Sequence, residues 1–126
     1  MAATILIVED EYAVARGIQY ALQQEGYQVA VSRSGEEGLE FALREGPDLV
    51  VLDVRLPGID GFEVLRRLRA QPQTALTRCI ALSANAMPED IALGLAAGFD
   101  DYWTKPIKFK PFLEALQQQF PLAATT

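Results

Sequence analysis

Residues 49–53 read Leu-Val-Val-Leu-Asp, four apolar residues followed at once by a single carboxylate. A run this short, apolar at every position and rich in branched side chains, predicts a strand buried on both faces of a parallel sheet. Gly46-Pro47 precedes the run and Pro57-Gly58 follows it, and such pairs are typical of loops. Residues 49–52 are therefore predicted to form an inner strand, with Asp53 at its carboxyl end.

Similar apolar runs alternate with amphipathic segments on both sides of this strand. The strands are predicted at residues 5–8, 27–31, 49–52, 79–82 and 101–104. The helices are predicted at residues 12–25, 36–45, 61–70 and 88–97, and from 109 to a stop at Phe120-Pro121. Such alternation needs right-handed crossovers, which place helices on both faces of the sheet. The predicted fold class is α/β, a flavodoxin-like doubly wound (βα)5 three-layer sandwich with parallel strand order 2-1-3-4-5.

The apolar spacing also predicts which residues of each helix face inward. Ser34 is a predicted N-cap of the second helix, and Pro88 is predicted to begin the fourth helix, which ends at Gly98. The inward side chains are predicted to be Val14, Ile18 and Leu22, then Leu39 and Leu43, then Phe62, Leu65 and Leu68, and finally Phe109, Phe112, Leu113 and Leu116.

Composition limits the function classes. The chain has 126 residues, which suits one domain, predicted over 1–121 with a frayed tail at 122–126. One cysteine and no histidine exclude a disulfide framework, ordinary zinc or haem sites, and Ser-His-Asp or Cys-His catalysis. The net charge of −6 argues against direct nucleic-acid binding. No apolar run approaches a membrane span and no signal peptide is apparent, so we expect a cytoplasmic protein without membrane contact.

Chemically useful side chains follow four of the five predicted strands. Open α/β sheets bind ligands at the carboxyl ends of their strands, beside the point where the strand order reverses. These residues are Glu9, Asp10 and Glu11 after the first strand, Asp53 after the third, Ser83 and Asn85 after the fourth, and Lys105 after the fifth. Because the first and third strands are neighbours in the predicted order, Glu9, Asp10 and Asp53 are expected to share one pocket.

Such a pocket suits phosphoryl chemistry. Three carboxylates repel one another unless they take up protons or a cation, and Mg²⁺ prefers oxygen ligands of this kind. Ser83 and Lys105 would supply a hydroxyl and a cation to a phosphoryl group held beside the metal. An aspartate carboxylate is itself a possible nucleophile toward phosphorus.

Each residue alone also has a purely structural interpretation. The acids at 9–11 fit a helix N-terminus, Asp53 and Ser83 fit caps, and Lys105 fits a solvent-exposed lysine. Tyr102 and Trp103 fit ordinary packing. The functional interpretation is favoured because all four positions occur together at successive strand ends.

At these residues the sequence resembles the receiver domain of bacterial two-component response regulators. The resemblance runs from Ile5 to Gln119. It depends on Ile-Val-Glu-Asp-Glu at 7–11, Leu-Asp-Val-Arg-Leu-Pro-Gly-Ile-Asp-Gly at 52–61, Leu-Ser-Ala at 82–84 and Lys-Pro at 105–106. The chain looks like chemotaxis response regulators, while the segment 81–107 resembles receivers attached to hybrid histidine kinases. The acidic pair is Glu-Asp here, where many members have Asp-Asp, and the switch hydroxyl is Ser rather than Thr.

The resemblance implies a role for each site residue. Asp53 would be the phosphoacceptor and Lys105 the phosphate-pairing cation, with Ser83 as the switch hydroxyl and Tyr102 as the aromatic switch. The peptide bond before Pro106 is typically cis in this family. The implied Mg²⁺ ligands are Glu9, Asp10, Asp53 and the backbone carbonyl of Arg55.

The resemblance also implies partners. Because the chain has no histidine, the phosphohistidine donor must be another protein, a histidine kinase or a histidine phosphotransfer protein. We expect that donor to dock over residues 12–16, and a downstream effector protein or domain to read the surface formed by residues 88–119. The chain itself would not be an enzyme beyond its own phosphorylation and dephosphorylation.

Three alternatives remain open at this stage. A phosphorylation-independent pseudo-receiver would act only as an interaction domain. An aspartate-nucleophile phosphatase would need a second aspartate two residues beyond the nucleophile, where this chain has Arg55. A flavodoxin-like cofactor carrier would need a phosphate-cradling loop after the first strand, where Glu9, Asp10 and Glu11 would repel phosphate.

Overall fold

The computed structural model describes residues 3–119, which form five strands alternating with five helices. The strands are β1 (Thr4–Val8), β2 (Gln28–Ser32), β3 (Leu49–Asp53), β4 (Arg78–Ser83) and β5 (Asp101–Thr104). The helices are α1 (Tyr12–Gln24), α2 (Gly35–Glu45), α3 (Gly61–Ala70), α4 (Pro88–Ala97) and α5 (Phe109–Gln119). The predicted end of the last helix at Phe120-Pro121 and the predicted tail at 122–126 lie outside the described residues.

All neighbouring strands are parallel, and their order is β2-β1-β3-β4-β5, as predicted. The register pairs Val8 with Leu52 and Asp53 with Leu82, so the carboxyl ends of the inner strands lie level with one another. Asp53 and Ser83 are the last residues of their strands rather than the first residues beyond them. The backbone of the sheet therefore holds both side chains at one edge.

Alternate residues of the strands build two apolar layers, one on each face of the sheet. Ile5, Ile7 and Val51 face α1 and α5, whose Ile18 and Phe112 are fully buried there. The opposite layer takes its strand residues from Leu6, Val8, Val50, Leu52, Cys79 and Ala81, which pack against α2 and α3. Burial raises the pKa of the Cys79 thiol to about 11, so this lone cysteine is an inert part of the core.

Two predictions of inward-facing residues need correction, one in α2 and one in α5. In α2 the fully buried residues are Gly35, Gly38 and Ala42. Leu39 packs against the apolar layer as predicted but is only half-buried, and Leu43 is half-buried as well. Gly38 faces the sheet, and α2 lies so close to β1 that a methyl group on Gly38 would sit 2.6 Å from the side chain of Val8.

The second error concerns α5. Phe112 and Leu116 are buried as predicted, but Phe109 is 39% exposed. Phe109 lies at the first residue of the helix and its ring reaches across toward Gly17 of α1. It therefore covers the surface of α1 instead of filling the core.

Local sequence signals set the helix ends. Ser34 caps α2 by accepting a hydrogen bond from the Glu37 N–H at 3.1 Å, as predicted. Asp60 caps α3 in the same way through the Glu63 N–H at 2.9 Å. This second cap fixes the start of α3 directly after the loop that follows Asp53. Among residues 3–119, no helix combines the length and the apolar character that crossing a bilayer requires.

Candidate functional site

The predicted acids meet at the carboxyl ends of β1 and β3. Glu9, Asp10 and Asp53 each place one carboxylate oxygen within 4.8 Å of the others. Glu9 and Asp53 are buried, with side chains 0% and 2% exposed, and Asp10 is half-buried. The pairing of β1 with β3 produces this cluster, because it brings residues more than forty positions apart in the chain to adjacent strand ends.

Lys105 reaches into the same cluster from the end of β5. Its Nζ lies 2.7 Å from Glu9 Oε1, 2.9 Å from Asp53 Oδ2 and 3.0 Å from Glu11 Oε1. The backbone N–H of Lys105 donates to the Ser83 carbonyl at 2.8 Å, which fixes the lysine beside the end of β4. The next peptide bond, Lys105–Pro106, is cis, as the resemblance implies.

Crowded charges perturb both Glu9 and Lys105. Burial raises the pKa of Glu9, and the neighbouring Asp53 carboxylate raises it further, while Lys105 and the Glu11 N–H oppose these effects. Burial by itself lowers the pKa of Lys105, but the carboxylates of Glu9, Asp53 and Glu11 outweigh it, so that pKa is raised overall. The lysine is therefore firmly cationic, and the cluster holds more negative charge than this one cation balances.

The donor set fits a hard divalent cation. Glu9 Oε1 is buried and lies 2.7 Å from Lys105 Nζ, but none of its contacts within the described part of the chain has hydrogen-bond geometry, so this oxygen can still bind a cation. The clustered oxygens all come from carboxylates, the ligand type that Mg²⁺ prefers. Arg55 lies beside them, and its backbone N–H donates to Asp53 Oδ1 at 3.0 Å. The role of its carbonyl as a ligand stays a prediction.

Ser83 and Tyr102 are joined through Asn85. The buried Ser83 Oγ accepts a hydrogen bond from the Asn85 N–H at 3.0 Å. The Tyr102 hydroxyl donates to the Asn85 carbonyl, also at 3.0 Å. A chain of two hydrogen bonds thus connects the end of β4 to an aromatic ring on β5 and gives these two predicted switch residues a physical link.

Sequence reasoning missed two residues that shape this site. Glu11 is one of the acids after the first strand, but the sequence does not predict the ion pair that its carboxylate makes with Lys105. Gly61 is the first residue of α3, and the sequence pattern assigns it no role of its own. A methyl group there would clash with the Asp53 carbonyl oxygen and lie 2.8 Å from the Val54 Cα. The available signals are its place at the end of the 52–61 motif and directly after the Asp60 cap.

Comparison with known proteins gives consistent matches over nearly the whole chain. A family model described as the response regulator receiver domain matches residues 5–117. The transcriptional regulatory protein AfsQ1 of Streptomyces coelicolor is 43% identical over 105 residues, which cover 83% of this chain and 45% of that protein. The alkaline phosphatase synthesis transcriptional regulatory protein PhoP of Bacillus subtilis is 45% identical over 102 residues, which cover 81% and 42%. The chain thus spans less than half the length of these curated relatives.

Solved structures share the fold across their full length. The chemotaxis protein CheY4 of Vibrio cholerae superimposes with a TM-score of 0.87 at 30% identity, covering 94% of this chain and 98% of that one. The receiver domain of the sensor histidine kinase PA1611 from Pseudomonas aeruginosa gives a TM-score of 0.85 at 35% identity, with coverage of 94% and 97%. That structure has a magnesium ion coordinated in its active site cleft.

Proposed function

This chain belongs to the response regulator receiver domain family, and we propose that it accepts a phosphoryl group on Asp53 in a Mg²⁺-dependent reaction. Receiver domains of response regulators are phosphoacceptor signalling domains of two-component systems. The observation that carries the assignment to Asp53 is its placement: a buried carboxylate at a strand end, held by Lys105 and adjoining two further acids.

The transfer requires little covalent machinery from the protein. A carboxylate oxygen of Asp53 attacks the phosphorus of a phosphohistidine, the phosphorus–nitrogen bond breaks, and its electron pair remains on the departing imidazole. The Lys105 ammonium, already 2.9 Å from Asp53, would balance charge on the transferred group. Glu9, Asp10 and Asp53 would hold the Mg²⁺ ion, which supplies further neutralisation of phosphoryl charge.

Hydrolysis would restore the resting state. A water oxygen attacks the phosphorus and the bond to Asp53 breaks, so its electron pair returns to the carboxylate. Inorganic phosphate leaves, and the proton from water passes to phosphate or solvent. We propose that the chain catalyses only its own phosphorylation and dephosphorylation, and that it turns over no separate small-molecule substrate.

Phosphorylation would be communicated through Ser83 and Tyr102. When the Ser83 hydroxyl turns to a phosphoryl oxygen, its bond with the Asn85 N–H is lost, and the Asn85 carbonyl that holds Tyr102 is free to move. Residues 88–119 would then present a changed surface to an effector. This surface already exposes apolar side chains suited to a partner, among them Leu93 and Leu95 on α4.

The phosphodonor is proposed to dock over α1. Tyr12 is 65% exposed at the start of this helix, with the Arg16 guanidinium 5.9 Å from the centre of its ring. A mainly apolar cavity of about 260 Å³ adjoins both side chains and is also lined by Ala15, Gln19 and Val31 among others. An aromatic, an arginine and an apolar groove form the kind of surface that protein partners use. We propose a histidine kinase or a histidine phosphotransfer protein as that partner, and the cytoplasm as the location.

Incubation with a small acyl phosphate is the experiment that tests this function. In the presence of Mg²⁺ we expect the intact mass to rise by one phosphoryl group and to return to its original value once the donor is removed. The same incubation with a chelator should leave the mass unchanged, because without the cation the acidic cluster repels the donor. No gain in mass under any Mg²⁺ concentration would favour a pseudo-receiver that acts only by protein contacts.

A further inference from the structure

Glu11 is tied to the phosphoacceptor site by its backbone and by its side chain. It occupies the N-cap position of α1, yet its side chain makes no capping hydrogen bond to that helix. Its Oε1 instead accepts a hydrogen bond from Lys105 Nζ at 3.0 Å, and its N–H donates to Glu9 Oε2 at 3.1 Å. The carboxylate is therefore committed to the site lysine rather than to helix capping.

The three carboxylates around Lys105 differ in burial. A lysine ammonium has three N–H donors, and here three carboxylate oxygens lie within 3.0 Å of it. Glu9 and Asp53 are buried, whereas the side chain of Glu11 is 63% exposed. Water readily solvates an exposed carboxylate, so the contact with Glu11 is the least costly of the three to release.

We propose that Glu11 is a positioning residue that restrains Lys105 in the unphosphorylated protein and opposes the arrival of a phosphoryl group. This inference rests on the proposed function. When a phosphoryl group arrives at Asp53, Lys105 must redirect an N–H donor toward it, and the contact with Glu11 is the one given up. The Glu11 charge also repels the anionic donor directly. The effect on a cation is the opposite, because the Glu11 charge strengthens the attraction of Mg²⁺ to the acidic cluster.

The substitution Glu11→Gln tests this inference because it removes the charge and keeps the size of the side chain. At saturating Mg²⁺ and low salt, we expect phosphorylation by acetyl phosphate to be roughly two- to fivefold faster, the range set by exposed charge pairs. We expect the affinity for Mg²⁺, measured by titration calorimetry without any phosphodonor, to fall by a similar factor. Both differences should shrink at high salt, because the Glu11 charge is exposed to screening ions.

Two control variants separate charge from other effects. Glu11→Asp keeps the charge on a side chain one methylene shorter, so its affinity for Mg²⁺ should stay near the wild-type value and its rate should lie between those of the wild type and Glu11→Gln. Glu45→Gln removes an exposed charge at the end of α2 and should change neither measurement. An unchanged rate in Glu11→Gln, or equal acceleration in Glu11→Asp, would overturn the role of Glu11 while leaving the proposed function standing. If the wild-type protein takes up no phosphoryl group, the proposed function itself fails.

Discussion

We expect the substitution Asp53→Asn to abolish the uptake of a phosphoryl group while the protein stays folded. The neutral amide lacks the anionic oxygen that attacks phosphorus, and it removes one of the three clustered acids that would bind Mg²⁺. The fold should tolerate the change, because the amide has the size of the carboxylate and Lys105 keeps Glu9 and Glu11 as partners. Intact-mass spectrometry after incubation with acetyl phosphate measures the loss, and thermal unfolding checks the fold.

The matched control is Asp90→Asn, which makes the same chemical change in the first turn of α4, outside the acidic cluster. This variant should gain one phosphoryl group at the wild-type rate. A phosphoryl group on Asp53→Asn would mean that another residue is the acceptor. A failure of both variants to react would point instead to a general requirement for negative charge.

The second large effect is expected from Gly61→Ala. A methyl group at this position would clash with the Asp53 carbonyl oxygen and lie 2.8 Å from the Val54 Cα, and both atoms belong to the backbone. These backbone atoms and the added methyl group can separate only if α3 or the end of β3 moves. We therefore expect a loss of about 3 kcal/mol in the free energy of unfolding. Denaturant titration measures this loss. Phosphorylation should also slow, because the displaced strand end carries Asp53.

Gly17→Ala provides the control for this prediction. Gly17 lies inside α1, and the nearest atom to an added methyl group is Phe109 Cζ at 3.6 Å, an ordinary contact distance. Alanine has the higher helix propensity, so this variant should be stabilised by up to ~1 kcal/mol. If both glycine variants shift stability in the same direction, the close approach of α3 to β3 is not what requires glycine at position 61.

The sequence was sufficient to predict the fold because its apolar runs are short, branched and regularly separated by amphipathic segments. The packing of α2 was not predictable from the same signal. The large apolar residues of that helix are only half-buried, namely Leu39, Phe41 and Leu43. Gly38 and Ala42 are fully buried instead, because at Gly38 the helix lies too close to Val8 for a larger side chain. The distance between two elements is a tertiary property, and an apolar pattern alone does not encode it.

The acidic part of the site was predictable for a different reason. Parallel strands must end at one edge, so acids after neighbouring strands must meet, as Glu9, Asp10 and Asp53 do. The contact of Glu11 with Lys105 was not predictable in this way, because an exposed acid before a helix is common and its rotamer depends on a lysine 94 residues later in the chain. Side-chain direction, rather than strand order, decides that contact.

Reduction with borohydride after phosphorylation tests the central claim most directly, because it converts an aspartyl phosphate to homoserine and thereby marks the acceptor position. The protein would be phosphorylated with acetyl phosphate and Mg²⁺, reduced, digested and sequenced by mass spectrometry. The account predicts homoserine at position 53 alone, and none when Mg²⁺ is withheld. Homoserine at position 10 or at any other aspartate, with position 53 unmodified, would contradict it.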